Sequence, residues 1–191
     1  MVNHPHHHHR FPEKWAFLLN TPIRRWLDPP EKLISKLEIG SRDTVVDFGC
    51  GPGFMAVPLA RTAGRVIAVD VSPAMLERAK RNAQKQQVSM RLIQSDGSKL
   101  NIDSESVDLI LLNHVFHEVE GRRATLGEFS RVLRPAGRIA IVERTRSGRF
   151  FEGFSPPTID AKEVTDELAN SEFKLASVIT HGRDSIIIGV K

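Results

Sequence analysis

Three glycines at alternate positions, Gly49, Gly51 and Gly53, follow an apolar run that closes on Asp47. A second apolar run further along the chain ends in another acid, Asp70. Glycines let a backbone turn tightly and approach a ligand that side chains would exclude. A carboxylate at the end of the second strand of a doubly wound α/β domain can accept both hydroxyls of a ribose. The pattern therefore predicts a nucleoside site at the carboxyl ends of the first two strands.

The spacing of the glycines distinguishes between classes of nucleoside cofactor. The dinucleotide fingerprint needs glycine at its first, third and sixth positions and directs a helix N-terminus at a pyrophosphate. Counted from Gly49, the sixth position is Phe54, so the third glycine is missing. Asp47 can accept a hydrogen bond from an ammonium group, directly or through water. The same carboxylate would be unfavourable beside a pyrophosphate. The loop therefore favours a cofactor without phosphate whose charged part is an amino-acid end.

At these residues the chain resembles the class I S-adenosylmethionine-dependent methyltransferases. With residues 113–118 and 133–142, it looks like the type 11 methyltransferases, which include enzymes of ubiquinone and menaquinone biosynthesis. The resemblance covers about residues 31–145 and implies S-adenosylmethionine as cofactor and S-adenosylhomocysteine as product. It is specific for cofactor and reaction type and nearly silent on the substrate. A nicotinamide or flavin enzyme is the weaker alternative.

The resemblance also implies contacts for the adenine ring. Asp96 would accept from the adenine amino group while Gly97 leaves space for the ring, although Asp-Gly turns occur in many proteins. Val71 and Met75 would contact adenine unless they belong to the core. The predicted cofactor-binding residues are Asp47, Gly49, Cys50, Gly51, Gly53, Asp70, Val71, Met75, Asp96, Gly97, Asn113 and His114.

Residues after the fourth predicted strand should border the methyl group that is transferred. Asn113 and His114 are the first candidates, whereas His117 and Glu118 either face the pocket or start the next helix. A histidine can be neutral at pH 7, so His114 or His117 is the predicted catalytic base where the acceptor carries a proton. If the acceptor is a thiolate or an amine, neither is needed. No metal ligand is predicted.

The expected reaction is methyl transfer by in-line displacement to a small-molecule acceptor, in which alignment of the reactants dominates. Residues 113–116 lack the two prolines of the amino-methylating nucleic-acid enzymes, and we expect no separate target-recognition domain. Two alternatives remain open. One is an RNA- or protein-modifying methyltransferase, and the other is a non-catalytic protein that binds S-adenosylmethionine.

The alternation of apolar runs with helical stretches predicts a Rossmann-like α/β fold. We expect a doubly wound, seven-stranded sheet with helices on both faces. Six strands should be parallel, and the tight turn at residues 181–184 should make the last strand antiparallel. The predicted strands span residues 44–48, 65–69, 89–94, 107–112, 138–142, 173–180 and 185–190, and the predicted helices span 31–37, 54–63, 73–87, 121–133 and 160–171.

Residues 1–30 are expected to form a flexible segment and cap, and residues 31–191 the cofactor-binding domain. Phe11 and Trp15 either cover the cofactor cleft or pack on the core. Residues 144–154 mix arginine, phenylalanine and glycine, which suits a substrate lid or a plain surface loop. The run His6–His9 is native sequence or a tag, and a metal-binding role for it is disfavoured.

Composition restricts the partners and the location. The net charge is +4, but no run of five basic residues occurs and tyrosine is absent, so nucleic acid is disfavoured as a partner. The single cysteine, Cys50, excludes an intramolecular disulfide and fits a reducing cytoplasm. No apolar run approaches the ~20 residues that span a bilayer. We expect a cytoplasmic protein, either a monomer or a homodimer.

Overall fold

A computed structural model describes residues 29–144 and 159–191. Their strands form one seven-stranded sheet in the order β3-β2-β1-β4-β5-β7-β6, in which β7 is antiparallel to both neighbours. This confirms the predicted Rossmann-like fold. The strands are β1 (Thr44–Phe48), β2 (Arg65–Asp70), β3 (Arg91–Gln94), β4 (Val107–Asn113), β5 (Leu133–Arg144), β6 (Lys174–His181) and β7 (Asp184–Val190), and the helices are α1 (Pro30–Ile34), α2 (Ala56–Leu59), α3 (Pro73–Lys85), α4 (Arg122–Val132) and α5 (Ala161–Ala169).

The centre of the sheet brings the predicted site residues to one edge. β1 pairs in parallel with β2 on one side and with β4 on the other, so Phe48 lies opposite both Val69 and Leu112. The chain therefore reverses its winding direction at β1, which is where doubly wound sheets open a crevice for ligands. β4 is buried almost throughout, as expected of a strand covered on both faces.

Helix starts follow their capping residues. Ser72 accepts a hydrogen bond from the backbone of Met75 at the start of α3, with Pro73 in the first helical position, as predicted. Asp160 caps α5 by accepting from Lys162. The α2 helix is shorter than predicted because Pro58 has no N–H to donate and is tolerated only in a first turn. Its helical residues therefore begin at Ala56.

Other boundaries also differ from the prediction. The first helix ends at Ile34, although the turn after it still buries Leu37, and β3 begins at Arg91. The predicted turn at residues 135–137 lies inside β5, where the pairing register shifts between Val107 and Leu109. Ala136 has a left-handed backbone there, so the turn is accommodated as a bulge rather than as a break between elements.

The antiparallel strand β7 returns to the ligand-facing edge of the sheet. Its register sets Asp184 opposite Arg144 and Ser185 opposite Glu143, at the carboxyl end of β5. The start of β7 therefore lies beside the loop that follows β4. No helix in the described ranges is long and apolar enough to cross a membrane. The proposed cap residues Phe11 and Trp15, and residues 145–154 of the proposed lid, lie outside the described residues.

Candidate cofactor and acceptor site

The loops after β1 to β4 surround a cleft of about 650 Å³, a size typical of small-molecule and cofactor sites. All of the predicted cofactor-binding residues line it except Gly53 and Gly97. Glu118, which was expected either to face the pocket or to start the next helix, also lines the cleft. Further lining residues carried no signal in the sequence: Phe48, Pro52, Phe54, Met55, Ser72, Pro73, Ser95, Ser98, Val115, Val119, Glu120, Gly121, Ala124 and Thr125.

The glycine loop is held against the end of β2. The backbone amides of Gly49 and Cys50 both donate to the carbonyl of Val69, at 2.8 and 2.9 Å. Gly49 and Gly51 both have left-handed backbones, which favour glycine. A Cβ on Gly49 would lie 2.4 Å from Val115, whereas a Cβ on Gly51 would meet nothing within 4 Å. Gly49 therefore permits close packing of two loops, while Gly51 leaves open space on the cleft side.

Asp70 ties the loop to the start of α3. One carboxylate oxygen accepts from the amide of Gly51 at 2.8 Å, and the other accepts from the amide of Ser72 at 2.9 Å. Burial raises the pKa of Asp70, and these amide hydrogen bonds oppose the rise. Each oxygen has a second lone-pair direction. The side chain is thus fixed in orientation and can still accept from a pair of ligand hydroxyls.

Asp47 is the most unusual polar group of the cleft. It is 2% exposed, and its Oδ2 has no hydrogen-bond partner among the described residues. Burial raises the pKa of this carboxyl to about 7, aided by the charge of Asp70 and opposed by the amide of Ala56. A buried carboxylate oxygen is costly unless a donor reaches it. Asp47 therefore suits a cationic ligand group such as an ammonium.

The residues predicted to contact adenine are the apolar Val71 and Met75 and the acidic Asp96. Val71 is 45% exposed, and both Val71 and Met75 line the cleft. Asp96 accepts from the amide and the hydroxyl of Ser98 through Oδ1 alone, and these bonds lower its pKa. Cys50 is a buried thiol whose pKa burial raises, which fits a small wall residue rather than a nucleophile.

Gly97 and Gly53 serve packing rather than the cleft. A Cβ on Gly97 would lie 2.8 Å from both Phe48 and Thr125, so its absence lets the loop after β3 pack on the core. That Gly97 leaves room for the adenine ring stays a prediction. A Cβ on Gly53 would lie 3.4 Å from Ala79, so this glycine brings the loop close to α3.

The loop after β4 brings one of the two predicted bases into the cleft. Asn113 and His114 both line it. His114 has a left-handed backbone, which costs about 1–2 kcal/mol in a non-glycine residue, and its amide donates to Val142 at 2.8 Å. Its Nε2 lies 3.2 Å from Oδ2 of Asp184 at the start of β7. The strained backbone and this contact with Asp184 hold the ring in one orientation.

His117, the other predicted base, does not line the cleft. Its Nδ1 lies 3.0 Å from Oε2 of Glu143, and its amide also donates to Glu143, which is fully buried. The hydrogen bond to this carboxylate raises the pKa of His117, and burial opposes the rise. The structure thus separates the two histidines, since His114 reaches the cleft and His117 partners a buried carboxylate.

The described lining of the cleft is acidic. Five carboxylates reach it, and no Lys or Arg among residues 29–144 and 159–191 does. Such a lining favours a cationic ligand. Within the same ranges, no group of three or more His, Cys, Asp or Glu is arranged to hold a metal ion. The five carboxylates belong to Asp47, Asp70, Asp96, Glu118 and Glu120.

Comparison with known proteins agrees with this geometry. A family model described as a methyltransferase domain matches residues 46–141. The chain is 33% identical over 155 residues to an S-adenosyl-L-methionine-dependent Diels-Alderase of Neonectria sp. (strain DH2), covering 77% of this chain and 58% of that protein. It is 31% identical over 119 residues to the demethylmenaquinone methyltransferase of Tropheryma whipplei (strain Twist), covering 62% and 48% respectively. The chain thus spans about half the length of the curated relatives that it matches.

A solved structure aligns over nearly the whole chain. The crystal structure of a SAM-dependent methyltransferase from Aquifex aeolicus superposes with a TM-score of 0.86 at 25% sequence identity, over 95% of this chain and 99% of that one. The similarity therefore includes the antiparallel end of the sheet, beyond residues 46–141.

Proposed function

The chain belongs to the class I S-adenosylmethionine-dependent methyltransferase family, and on that premise we propose that it transfers a methyl group to a small-molecule acceptor. The observation that carries the proposal is the buried, unpartnered Oδ2 of Asp47 beside the open face of Gly51. A phosphate would be repelled there, whereas an amino-acid ammonium would gain a charged hydrogen bond.

The described residues fit S-adenosylmethionine along the length of the cleft. Asp47 would receive the ammonium, and Asp70 would accept the two ribose hydroxyls while its amide contacts keep it in place. Val71 and Met75 would contact the adenine ring, and Asp96 would accept from its amino group. The negative lining also favours the cationic cofactor over its neutral product.

The cofactor, when bound, supplies an electrophilic methyl group on a sulfonium sulfur. The chain aligns the reactants and excludes water, and such alignment can lower a barrier by about 7–11 kcal/mol. Asn113 and His114 border the space where the acceptor would lie. Where the acceptor carries a proton, His114 would remove it, which typically accounts for ~10²-fold or more in rate.

Three features support a small molecule as the acceptor. The described cleft is concave, with a volume of about 650 Å³, and no Lys or Arg of the described residues lines it to contact a nucleic-acid backbone. The Tropheryma whipplei relative is named for demethylmenaquinone, a small molecule. We therefore place RNA and protein acceptors second.

Calorimetry with S-adenosylhomocysteine tests the cofactor assignment, and a panel of phenols, amines and thiols with methyl-labelled cofactor tests the transfer. We expect binding of the product and labelling of at least one acceptor class. Binding without transfer of label to any acceptor would favour a non-methylating role, as the name of the Diels-Alderase relative describes for that protein. Absence of binding would contradict the assignment of the cleft.

A further inference from the structure

The start of the last strand contributes a carboxylate to the loop that borders the acceptor space. Asp184 Oδ2 lies 3.2 Å from His114 Nε2, and Asp184 Oδ1 lies 3.4 Å from Arg144 Nε. Asp184 is nearly buried and does not line the cleft, whereas His114 does. The carboxylate therefore touches the histidine from behind, on the side away from the ligand space.

Electrostatics keep Asp184 ionised in this position. Burial by itself would raise the pKa of the carboxyl, but the hydrogen bond from His114 and the Arg144 guanidinium outweigh burial and lower it. An ionised carboxylate only accepts hydrogen bonds. The atom it contacts, His114 Nε2, must then carry the proton, and Nδ1 is left as the basic nitrogen of the neutral ring.

The backbone of His114 supplies a second, independent restraint. Its left-handed conformation is held by the hydrogen bond from its amide to Val142, which belongs to β5. Both ends of the residue are thus fixed through β5, which pairs with β4 on one side and with β7 on the other. A ring fixed at its backbone and at one nitrogen presents its other nitrogen in a defined direction.

We propose that Asp184 is a positioning residue that holds His114 as the Nε2–H tautomer, so that Nδ1 serves as the base for an acceptor that loses a proton on methylation. The proposal rests on the methyltransferase function proposed above and specifies its acceptor class. A phenolic or enolic hydroxyl belongs to that class, whereas a thiolate does not need a base.

Atoms and electrons balance in the proposed step. The acceptor oxygen forms a bond to the methyl carbon, and the carbon–sulfur bond breaks with its electron pair remaining on sulfur. The proton of the hydroxyl goes to His114 Nδ1. The imidazolium formed is stabilised by the Asp184 carboxylate until it returns the proton to water. Among the described residues, Arg144 contacts Asp184, and Glu118 lines the same cleft as His114.

Long-range proton–nitrogen NMR correlation on the full, nitrogen-15-labelled chain tests the tautomer without any turnover. His114 signals are assigned from their loss in His114→Asn, since asparagine tolerates a left-handed backbone. We expect His114 in its neutral form to carry its proton on Nε2. In Asp184→Asn the Arg144 guanidinium keeps the side-chain carbonyl oxygen as its acceptor, so the amide NH2 faces Nε2 and donates to it, and the proton should move to Nδ1. A wild-type ring protonated on Nδ1, or the same tautomer in both proteins, would overturn the proposal.

Steady-state kinetics provide a second test, with a phenol that the acceptor panel has shown to be methylated. Asp184→Asn should lower kcat by about 10²-fold, the contribution of a typical general base, and shift the acidic limb of its pH profile to lower pH. KM and S-adenosylhomocysteine affinity should stay within about threefold, because Asp184 does not line the cleft, and Asp184→Glu should recover part of kcat. An unchanged kcat and pH profile in Asp184→Asn would refute the positioning role.

A control variant distinguishes the loss of any carboxylate from the loss of the carboxylate next to His114. Asp166→Asn removes an exposed carboxylate of α5 that pairs with Lys162, and it should leave kcat and the pH profile unchanged. If Asp184→Asn fails to fold, the wild-type tautomer and Asp184→Glu still test the proposal. If no acceptor is methylated, the proposed function fails, whereas the NMR experiment still tests the role of Asp184 separately.

Discussion

Replacing Asp47 by asparagine should stabilise the free protein while it weakens cofactor binding. The substitution keeps the size of the side chain and removes the charge that burial makes costly. Asp47 has an unpartnered Oδ2 and a pKa raised from 3.8 to about 7. Opposite effects on protein stability and on cofactor binding are expected of a buried group that interacts with a ligand and does not stabilise the fold.

The size of the stability effect follows from the pKa shift. One pKa unit corresponds to about 1.4 kcal/mol, so a shift of about three units corresponds to about 4 kcal/mol. The folded-state pKa is raised, so the wild-type protein is most stable with respect to this group below pH 4. It loses that stability as the pH rises to about 7. Asp47→Asn should therefore match the wild type near pH 4 and exceed it at pH 8.

Thermal unfolding across this pH range measures the difference. At pH 8 the Tm of the cofactor-free variant should exceed that of the wild type by about 10 °C. Asp103→Asn, which removes an exposed carboxylate, provides the control and should not alter the pH dependence. Equal pH dependence of Tm in Asp47→Asn and wild type would refute the argument that burial of Asp47 costs stability.

Calorimetry with S-adenosylhomocysteine measures the binding effect. A hydrogen bond to a charged group is worth about 1.5–3 kcal/mol, so the variant should bind about 10- to 100-fold more weakly at pH 8. Binding to the wild type at pH 6.5 should release a proton, visible as a dependence of the heat on the buffer, and the variant should release none. Unchanged affinity would refute the ammonium assignment.

Three further predictions concern the cleft and the buried pair of His117 and Glu143. Asp70→Ala should weaken S-adenosylhomocysteine binding by more than about tenfold in calorimetry, since it removes the carboxylate assigned to the ribose; unchanged affinity would contradict that assignment. Gly49→Ala should lower the free energy of unfolding by about 2–4 kcal/mol because its Cβ would meet Val115. Gly51→Ala should lower it by only about 1 kcal/mol, yet it should still weaken S-adenosylhomocysteine binding. Equal stability of the two variants in urea unfolding would contradict the packing argument. His117→Leu should cost about 3 kcal/mol by leaving the buried charge of Glu143 unpaired, and Glu143→Leu in the same chain should restore part of it. Because the pKa of His117 is raised, its stabilising effect should be full below pH 6.5 and be lost as the pH rises through the folded-state pKa.

The sequence was informative where the signal is local. Asp47 and Asp70 each stand at the end of an apolar run, so strand pattern alone predicted that they meet at one edge, and the structure has both in the cleft. Ser72 and Pro73 predicted the start of α3 because capping depends on adjacent residues. The fold class followed from the alternation of such segments.

The sequence was silent where contacts depend on strand register. Asp184 meets His114, and Glu143 meets His117, only because β5 pairs with both β4 and β7. A single sequence contains no signal for that pairing, so Asp184 was assigned to a turn and the two histidines could not be told apart. The contacts of Gly97 with Phe48 and Thr125 were not predictable for a related reason, since both residues are distant in the chain.

Val115 occupies the space into which a Cβ of Gly49 would project. The glycine loop assigned to the cofactor and the loop after β4 assigned to the acceptor therefore pack directly against each other. Neither loop can be redesigned alone. The segment after β4 could be replaced by that of another enzyme to broaden the range of acceptors. The grafted segment must then contain a residue that packs against Gly49 without a clash. Libraries that randomise position 115 should accordingly recover small or slender side chains and lose bulky ones, even though that residue contributes no charge or hydrogen bond to the reaction.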